Sequence, residues 1–374
     1  MSFGTRLKWA REAAGMTQKQ LSEATDIGVS TICELESDGR ERGPSALQMV
    51  KIADAVRRRP DFFFEAGEPQ QEVVLWREKP ADSGGQIELQ LIELAGQYQR
   101  LEQCAGNPTL CELPLASSGS RPFGYADAER LAHDFRKSHS LGERPGGTLL
   151  RVLEEVCRVK VFHLPFEPSG TAACTLDERY GAAILLNSNN IRWRRNFDLA
   201  HELFHLLTWK IFRVGESASV ASDDEEKLAN CFAGSLLVPP EPLKLSVASQ
   251  QNGKRVLDFD DLFEVARQFD VSVQALVWQM VSSKLIEKPK AVEMLAKIEG
   301  KVEQWERRRD EAPPTRPIRF EALAREAVGK GMIGTGVFAK YMGISRRAAM
   351  KIVETEIYAG MEHEANAEVE IADS

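Results

Sequence analysis

The sequence lacks paired cysteines, long apolar runs and an excess of basic residues. Its six cysteines are scattered and none forms a C-x-x-C pair, so we predict reduced, mostly buried thiols in a cytosolic protein. No stretch approaches the roughly 18 apolar residues of a membrane span, and the first residues do not resemble a signal peptide. The net charge of −8 excludes a nucleic-acid-binding surface over the whole protein, so any DNA contact must be local.

What remains is the composition of an ordinary globular protein, with 43% hydrophobic and 28% charged residues. The length of 374 residues predicts two or three domains. Histidine is scarce, with 6 in the chain. An H-E-x-x-H pattern would therefore arise by chance in only ~1% of such sequences, yet one is present.

The motif His201-Glu202-Leu203-Phe204-His205 lies in a stretch that predicts an amphipathic helix. Residues four apart lie one above the other on a helix, so both imidazoles point the same way and can hold one zinc ion. Glu202 can then reach a metal-bound water. The opposite face is apolar and consists of Leu199, Leu203, Leu206 and Leu207. The alternative is a core helix with two satisfied histidines.

A catalytic zinc site takes three protein ligands, so a third is expected downstream. The acidic run Asp223–Glu226 opens a predicted helix, where the helix dipole favours carboxylates whatever their function. Glu226 differs from its neighbours because Asn230 follows one turn later on the same face, where it could accept a hydrogen bond from the ring of His201. We therefore predict that His201, His205 and Glu226 bind the metal.

Together the two segments resemble a known family. H-E-L-F-H, followed by E-x-x-A-N-x-F-A-x-x-L-L-V-P from Glu226 to Pro239, is similar to the ImmA/IrrE-type metallopeptidases of bacteria and their mobile elements. The strand and loop Tyr180–Asn190 also fit, and the similarity covers Asp127–Ile286. It implies a zincin-like endopeptidase, and the characterised members cleave a partner transcriptional repressor. Phe204 departs from the family, in which glycine is commoner at this position, and we expect the larger side chain to narrow the cleft.

The resemblance also implies the chemistry. Water would fill the fourth position of a Zn²⁺ ion held by the three predicted ligands, and Glu202 would act as general base. In zincins the substrate main chain pairs with a strand edge beside the cleft, for which Tyr180–Leu186 is the candidate. Tyr180 and Arg195 are the candidates for the oxyanion donor. Arg195 and the arginines at 192 and 194 face either an acidic substrate or, as we favour, solvent.

Residues 3–65 predict five short helices that resemble a Cro/repressor-type (XRE) helix-turn-helix domain. Thr17 and Gln20 form a capping-box pattern at the start of the second helix, and Gly15 suits the end of the first. Residues 30–32 would lie in the recognition helix. The candidate DNA-binding residues are Gln18, Lys19, Ser30 and Thr31.

Two residues and the charge of this domain weaken the DNA interpretation. Val29 stands where Gln or Arg commonly reaches a base edge, and Glu34 stands where a cation is common. Residues 1–66 contain ten Lys or Arg and ten Asp or Glu, and this net charge of zero gives little counterion release on DNA. A helical module that docks on a protein is therefore the alternative to one that binds operator DNA.

The segment between the two motif regions is predicted to be a linker followed by a helix. Residues 68–85 are polar with Pro and Gly. From Gln86 to Gln103, apolar residues recur in steps of four and three, which predicts an amphipathic helix. They are Ile87, Leu91, Leu94, Tyr98 and Leu101. This stripe of about two heptads either packs on the protein itself or forms a homodimer contact.

These patterns predict a mainly α fold with a small β-sheet (α+β). We expect a helix-turn-helix domain at 1–66, a linker and amphipathic helix at 67–125, a zincin-like peptidase domain at 126–286, a helical region at 287–353 and an acidic, disordered tail at 354–374. Apolar runs predict strands at Val159–Leu164, Ala173–Leu176 and Tyr180–Leu186. The Ser-rich loop Gly215–Asp224 is a candidate lid.

The sequence thus predicts a cytoplasmic, Zn²⁺-dependent endopeptidase that regulates transcription. Its helix-turn-helix would target it to a partner repressor, which it would cleave at one site. The alternative is a non-catalytic DNA-binding regulator whose metal site senses an ion or stabilises the fold, although the intact Glu202 argues against it. A third candidate is an interaction protein, such as the antitoxin-like half of a regulatory pair.

Overall fold

The computed structural model describes all residues except 38–42, 70–71, 81–83, 108–110, 118, 120, 168–171, 214–219, 252–256, 299–311 and 356–374. The chain forms two units, Met1–Glu72 with Pro80–Gln97 and Val73–Lys79 with Tyr98–Ser374. The domain boundaries given above remain predictions. Half of the candidate lid, the charged segment beyond residue 298 and the acidic tail from residue 356 lie outside the described residues.

The fold is mainly helical with one small sheet, as the sequence predicts. In the ranges that the structure describes, no helix combines the length and the apolar character needed to cross a bilayer.

The first unit is a cluster of short helices around an apolar core that includes Leu7, Leu21, Ile32 and Ile52. The helices are α1 (Phe3–Ala13), α2 (Gln18–Thr25), α3 (Val29–Glu36) and α4 (Ala46–Ala55), followed by a 3₁₀ turn at Pro60–Phe64. The predicted capping box is confirmed, because Thr17 Oγ1 accepts from the amide of Gln20 and the Gln20 side chain accepts from that of Thr17. Gly15 has φ +64°, as expected just after a helix.

The predicted amphipathic helix is α5 (Gly84–Cys104). Its residues up to Gln97 belong to the first unit and those from Tyr98 to the second. All five residues of its apolar stripe are buried within the single chain, which favours packing on the protein itself over a dimer contact.

The second unit contains a four-stranded sheet in the order β1-β3-β4-β2. The strands are β1 (Leu75–Trp76), β2 (Lys160–Leu164), β3 (Ala172–Asp177) and β4 (Gly181–Asn187). β2 and β4 are parallel, whereas β3 is antiparallel to both β4 and β1. The three predicted strands are therefore confirmed, within one or two residues at their ends.

Two sequence predictions about the sheet are wrong. Tyr180–Leu186 is not an edge strand, because β4 pairs on both sides. All seven residues of β4 are buried, and such a continuous apolar run is typical of a central strand. The segment 68–85 is also more than a linker, since its residues Leu75 and Trp76 are buried and pair with Cys174 and Ala173 of β3.

Helices cover this sheet and form the rest of the core of the second unit. They are α6 (Tyr125–Ser138), α7 (Leu149–Glu155), α8 (Arg192–Leu207), α9 (Trp209–Phe212), α10 (Asp223–Leu237), α11 (Pro240–Gln251), α12 (Phe259–Phe269), α13 (Val273–Ser282) and α14 (Lys288–Ile298). Phe204 of α8 does not narrow a cleft, because it is fully buried and its ring contacts those of Phe123, Phe212 and Phe232. The extra volume of this side chain therefore fills the core.

The C-terminal helices are Ile318–Gly329, Thr335–Met342 and 346–355, and the first of them packs on β2, the far strand of the sheet. The ring of Phe320 lies 5.4 Å from that of Tyr98 and 6.4 Å from that of Phe162 in β2. Beside these rings, the buried carboxylate of Glu102 forms an ion pair with Lys160 at 3.0 Å. Arg319 of the first C-terminal helix also forms an ion pair with Glu102, so aromatic packing and buried charge both join this helix to the sheet.

Candidate metal centre

Two helices carry the predicted metal ligands, and apolar packing fixes both. Leu199, Leu203 and the two leucines at 206 and 207 bury one face of α8 as predicted. In α10, Leu228 and Phe232 are buried, and Ser222 caps the helix by accepting from the amide of Glu225. The polar faces of the two helices therefore meet at the motif.

The ligand atoms of His201, His205 and Glu226 converge. The two Nε2 atoms are 3.2 Å apart, and the carboxylate oxygens of Glu226 lie 3.1 Å from Nε2 of His201 and 3.3 Å from Nε2 of His205. Tetrahedral zinc with bonds of about 2.0–2.1 Å requires ligand atoms about 3.3 Å apart. The spacing and the donor set therefore fit a zinc ion.

One carboxylate oxygen in this region, Oε1 of Glu202, is buried without a hydrogen-bond partner among the described residues. An orphaned buried oxygen is costly, and a metal-bound water would offset that cost. This observation also fits a site built around a metal.

Each histidine contacts a side chain of α10 through its other ring nitrogen. Nδ1 of His201 lies 3.2 Å from Oδ1 of Asn230, at the position that the sequence predicts. Nδ1 of His205 lies 2.8 Å from Oε1 of Glu225, a residue that the sequence reasoning did not single out. Glu225 is buried and also forms an ion pair with Arg213. The only signal in the sequence was its place beside Glu226 in the first turn of the helix.

The two histidines differ in their affinity for protons when no metal is bound. Burial lowers the pKa of His201 to about 4. For His205, burial opposes the charged form, but hydrogen bonds to Glu225 and Glu226 outweigh it and raise the pKa to about 9. Burial acts to raise the pKa of Glu226, but hydrogen bonds from His201 and His205 outweigh it and hold this pKa well below its usual range. An incoming metal would therefore displace a proton from this cluster.

Glu202 lies on the same helix and is 1% exposed. Burial raises the pKa of its carboxyl to about 7, although the charge of His205 and a hydrogen bond from the thiol of Cys174 act in the opposite direction. Cys174 belongs to β3, so the sheet approaches the metal cluster through this contact.

The candidate oxyanion donors make contacts elsewhere. The hydroxyl of Tyr180 lies 3.4 Å from Oγ1 of Thr175, and the guanidinium of Arg195 donates to the carbonyl of Asn190. Arg195 is buried, so the expectation that it faces solvent is wrong. The guanidinium satisfies a loop carbonyl and thereby shapes the turn before α8. The exposed Arg192 forms an ion pair with Asp270, 2.5 Å away.

A groove continues from Asn230 between α8, α10 and α13, with a volume of about 400 Å³. Three aromatic side chains, Trp193, Phe197 and Trp278, line it, and Arg77 lies at its rim beside Asn230. A side chain of a bound peptide could be accommodated here, close to the metal ligands.

The candidate DNA-binding residues lie on α2 and α3 of the first unit. Lys19 and Ser30 are exposed, Thr31 is half-buried, and the amide of Gln18 donates to Glu36 at 2.8 Å. The carboxylate of Glu36 also accepts a hydrogen bond from Nε of Arg11 at 2.6 Å, so this side chain links α1, α2 and α3. The structure thus leaves Lys19 and Ser30 the most accessible of the four.

Two family models match the chain. Residues 154–279 match the model described as IrrE N-terminal-like domain (Peptidase_M78), and residues 7–63 match the model described as Helix-turn-helix (HTH_3). No curated protein matches the chain. The matches confirm both resemblances, so the protein combines a region similar to a metallopeptidase family with a region similar to DNA-binding XRE-type regulators.

Proposed function

We propose that the protein is a zinc endopeptidase in which His201, His205 and Glu226 bind the metal and Glu202 acts as general base. The observation that carries this proposal is the convergence of three ligand atoms, at most 3.3 Å apart, beside a buried carboxylate. Bound zinc would polarise the scissile carbonyl and lower the pKa of a water.

Residues of the chain itself transfer the proton and orient the metal ligands. Glu202 accepts the proton of the attacking water and passes it to the leaving amine. A carboxyl with a pKa of about 7 is suited to both steps near neutral pH, and a nearby cation favours its charged form. Asn230 and Glu225 hold the two imidazoles with Nε2 toward the metal.

The substrate that fits both family matches is a partner transcriptional repressor. A single-metal site that reads a few residues of main chain discriminates weakly, and a tethered recognition unit supplies selectivity by raising local concentration. The helix-turn-helix would do so by binding operator DNA next to the repressor or by binding the repressor itself. Lys19, Ser30 and Thr31, with Gln18 less accessible, are the residues we propose for the DNA route.

Two substitutions in the full-length protein test this function. Glu202→Gln should keep the fold and the zinc but abolish cleavage, because an amide cannot accept the proton. It should therefore also trap the partner, which copurification and mass spectrometry would identify. His201→Ala should lose both zinc and cleavage. Undiminished cleavage by Glu202→Gln, or full zinc content in His201→Ala by elemental analysis, would reject the proposed site.

A non-catalytic regulator with a structural or sensing metal is the second candidate. The observation that favours it is the 1% exposure of Glu202, since a base must reach its substrate. The same variant separates the two functions. If Glu202→Gln and the wild-type protein have equal regulatory effects in cells, the metal does not serve catalysis.

A further inference from the structure

The strand β1 occupies the edge of the sheet nearest to the metal centre. Leu75 pairs with Cys174, whose thiol forms a hydrogen bond with the carboxyl group of Glu202. The side chain of Leu75 is 1% exposed and lies in the same apolar cluster as Leu199 and Leu203 of the metal-binding helix. β1 is therefore paired with the residue of β3 that contacts the general base, and it lies outside the region that the peptidase family model matches.

This is the position that a peptide substrate would take. An extended peptide binds a sheet edge through main-chain hydrogen bonds, with alternate side chains directed toward the site. β1 already binds the edge of β3 in this way, in the antiparallel direction. The amide of Arg77 donates to the carbonyl of Ala172 at 3.3 Å, and the hydroxyl of Thr175 donates to the carbonyl of Val73 at 2.8 Å.

Arg77, at the end of this segment, contacts both metal-binding helices through its side chain. Its Nη1 lies 3.1 Å from the buried Asp198, and its Nη2 lies 3.5 Å from Oδ1 of Asn230. Its guanidinium also lies over the ring of Phe197, at 5.9 Å. Since Asn230 in turn contacts His201, the segment is one residue removed from the metal ligands.

We propose that residues 73–77 are an internal pseudosubstrate, which must leave the edge of β3 before a peptide can be cleaved. This inference rests on the proposed peptidase function. It also specifies the chemistry that the edge accepts, namely an extended segment with an aliphatic residue packed in the apolar cluster of the metal-binding helix, as Leu75 is, and a cation two residues later, as Arg77 provides. A substrate repressor should present a segment of this kind.

The chain around β1 suits it to move. The strand pairs over only two residues, so few main-chain bonds hold it, whereas β3 and β4 pair over six. The segment continues into the first unit on both sides, at Glu72 and at Pro80. Binding of DNA or a repressor to that unit can therefore be coupled to release of the strand through the chain itself.

A reversible disulfide tests this inference in the full-length, zinc-loaded protein. Trp76 and Ala173 are paired across β1 and β3. Cα atoms paired in this way are about 4.5–5.5 Å apart, within the range that a disulfide spans. The double variant Trp76→Cys/Ala173→Cys should therefore lock the strand when oxidised and release it when reduced. The single variant Ala173→Cys, treated identically, controls for oxidation of the native cysteines.

The oxidised double variant should cleave the partner at least tenfold more slowly than the same protein after reduction. Equal rates in the two forms would overturn the inference. Amide hydrogen exchange gives a readout that needs no activity. In the reduced form, residues 73–79 should exchange at least tenfold faster than β2, the opposite edge strand, and the disulfide should abolish the difference. Equal exchange of the two edges would overturn the inference, whereas absence of cleavage by both forms would count against the proposed peptidase function.

Discussion

Oε1 of Glu225 lies 2.8 Å from Nδ1 of His205, so a buried carboxylate from a second helix fixes the orientation of this imidazole. His201 is held instead by the amide of Asn230, an exposed residue. A carboxylate partner makes an imidazole a stronger metal ligand than an amide does, because its negative charge raises the basicity of the ring. The two histidines of one motif are therefore expected to bind the metal with unequal strength.

The first prediction concerns this contact. Glu225→Gln keeps the size of the side chain but removes its charge, so zinc affinity should fall about 10–100-fold. Competition with a chromophoric chelator measures the effect. Asp224→Asn, one position earlier and exposed, is the matched control and should leave affinity unchanged. Equal affinities of the Glu225 variant and the wild-type protein would show that the carboxylate does not act on the metal.

The second prediction concerns the buried ion pair between Glu102 and Lys160, whose side chains are 2% and 1% exposed. Glu102→Gln leaves the ammonium group of Lys160 buried without its counter-charge, which should lower the free energy of unfolding by about 3–5 kcal/mol. Arg319, the other partner of Glu102, is 22% exposed and can turn toward water. Urea unfolding measures the change.

A matched pair of variants separates charge from shape at this position. Replacing both partners, as Glu102→Leu/Lys160→Met, should restore most of the lost stability, because packed apolar side chains replace a buried ion pair at little cost. Glu155→Gln, at an exposed position, is the control and should have little effect. If the double variant is less stable than Glu102→Gln, the ion pair itself stabilises the fold, and an unpaired Lys160 does not account for the loss of stability in Glu102→Gln.

The third prediction concerns Lys19, the exposed cation among the four candidate DNA-binding residues. Lys19→Ala should weaken binding to a DNA fragment selected from a random pool, and it should reduce the slope of log K against log salt by about 1. Fluorescence anisotropy at several salt concentrations measures both. Lys8→Ala, exposed on α1, is the control. An unchanged slope for Lys19→Ala, or failure to select any DNA, would favour docking of this unit on a protein.

The sequence predicts the metal centre well because its chemistry depends on local spacing. His201 and His205 share a helix face through the four-residue repeat, and Glu226 and Asn230 share another in the same way. Whether the two helices meet is not a local property, but the leucines behind the first and Phe232 behind the second indicate the faces that each must bury. The capping box at Thr17 is predictable for the same local reason.

Only the tertiary structure decided which neighbours these local elements acquired. Glu225 and Glu226 are adjacent acids of one helix turn, and although Asn230 marks Glu226 as the ligand, nothing in the sequence shows that Glu225 contacts the other ring nitrogen of His205. The order of the strands placed β4 in the centre of the sheet and β1, from a stretch that looked like a linker, at the edge beside Cys174. The pairing of β1 with β3 arises from contacts between residues about a hundred positions apart, such as Leu75 and Cys174. Periodicity within a segment determines which of its faces is buried, but it contains no information about which distant segment will cover that face.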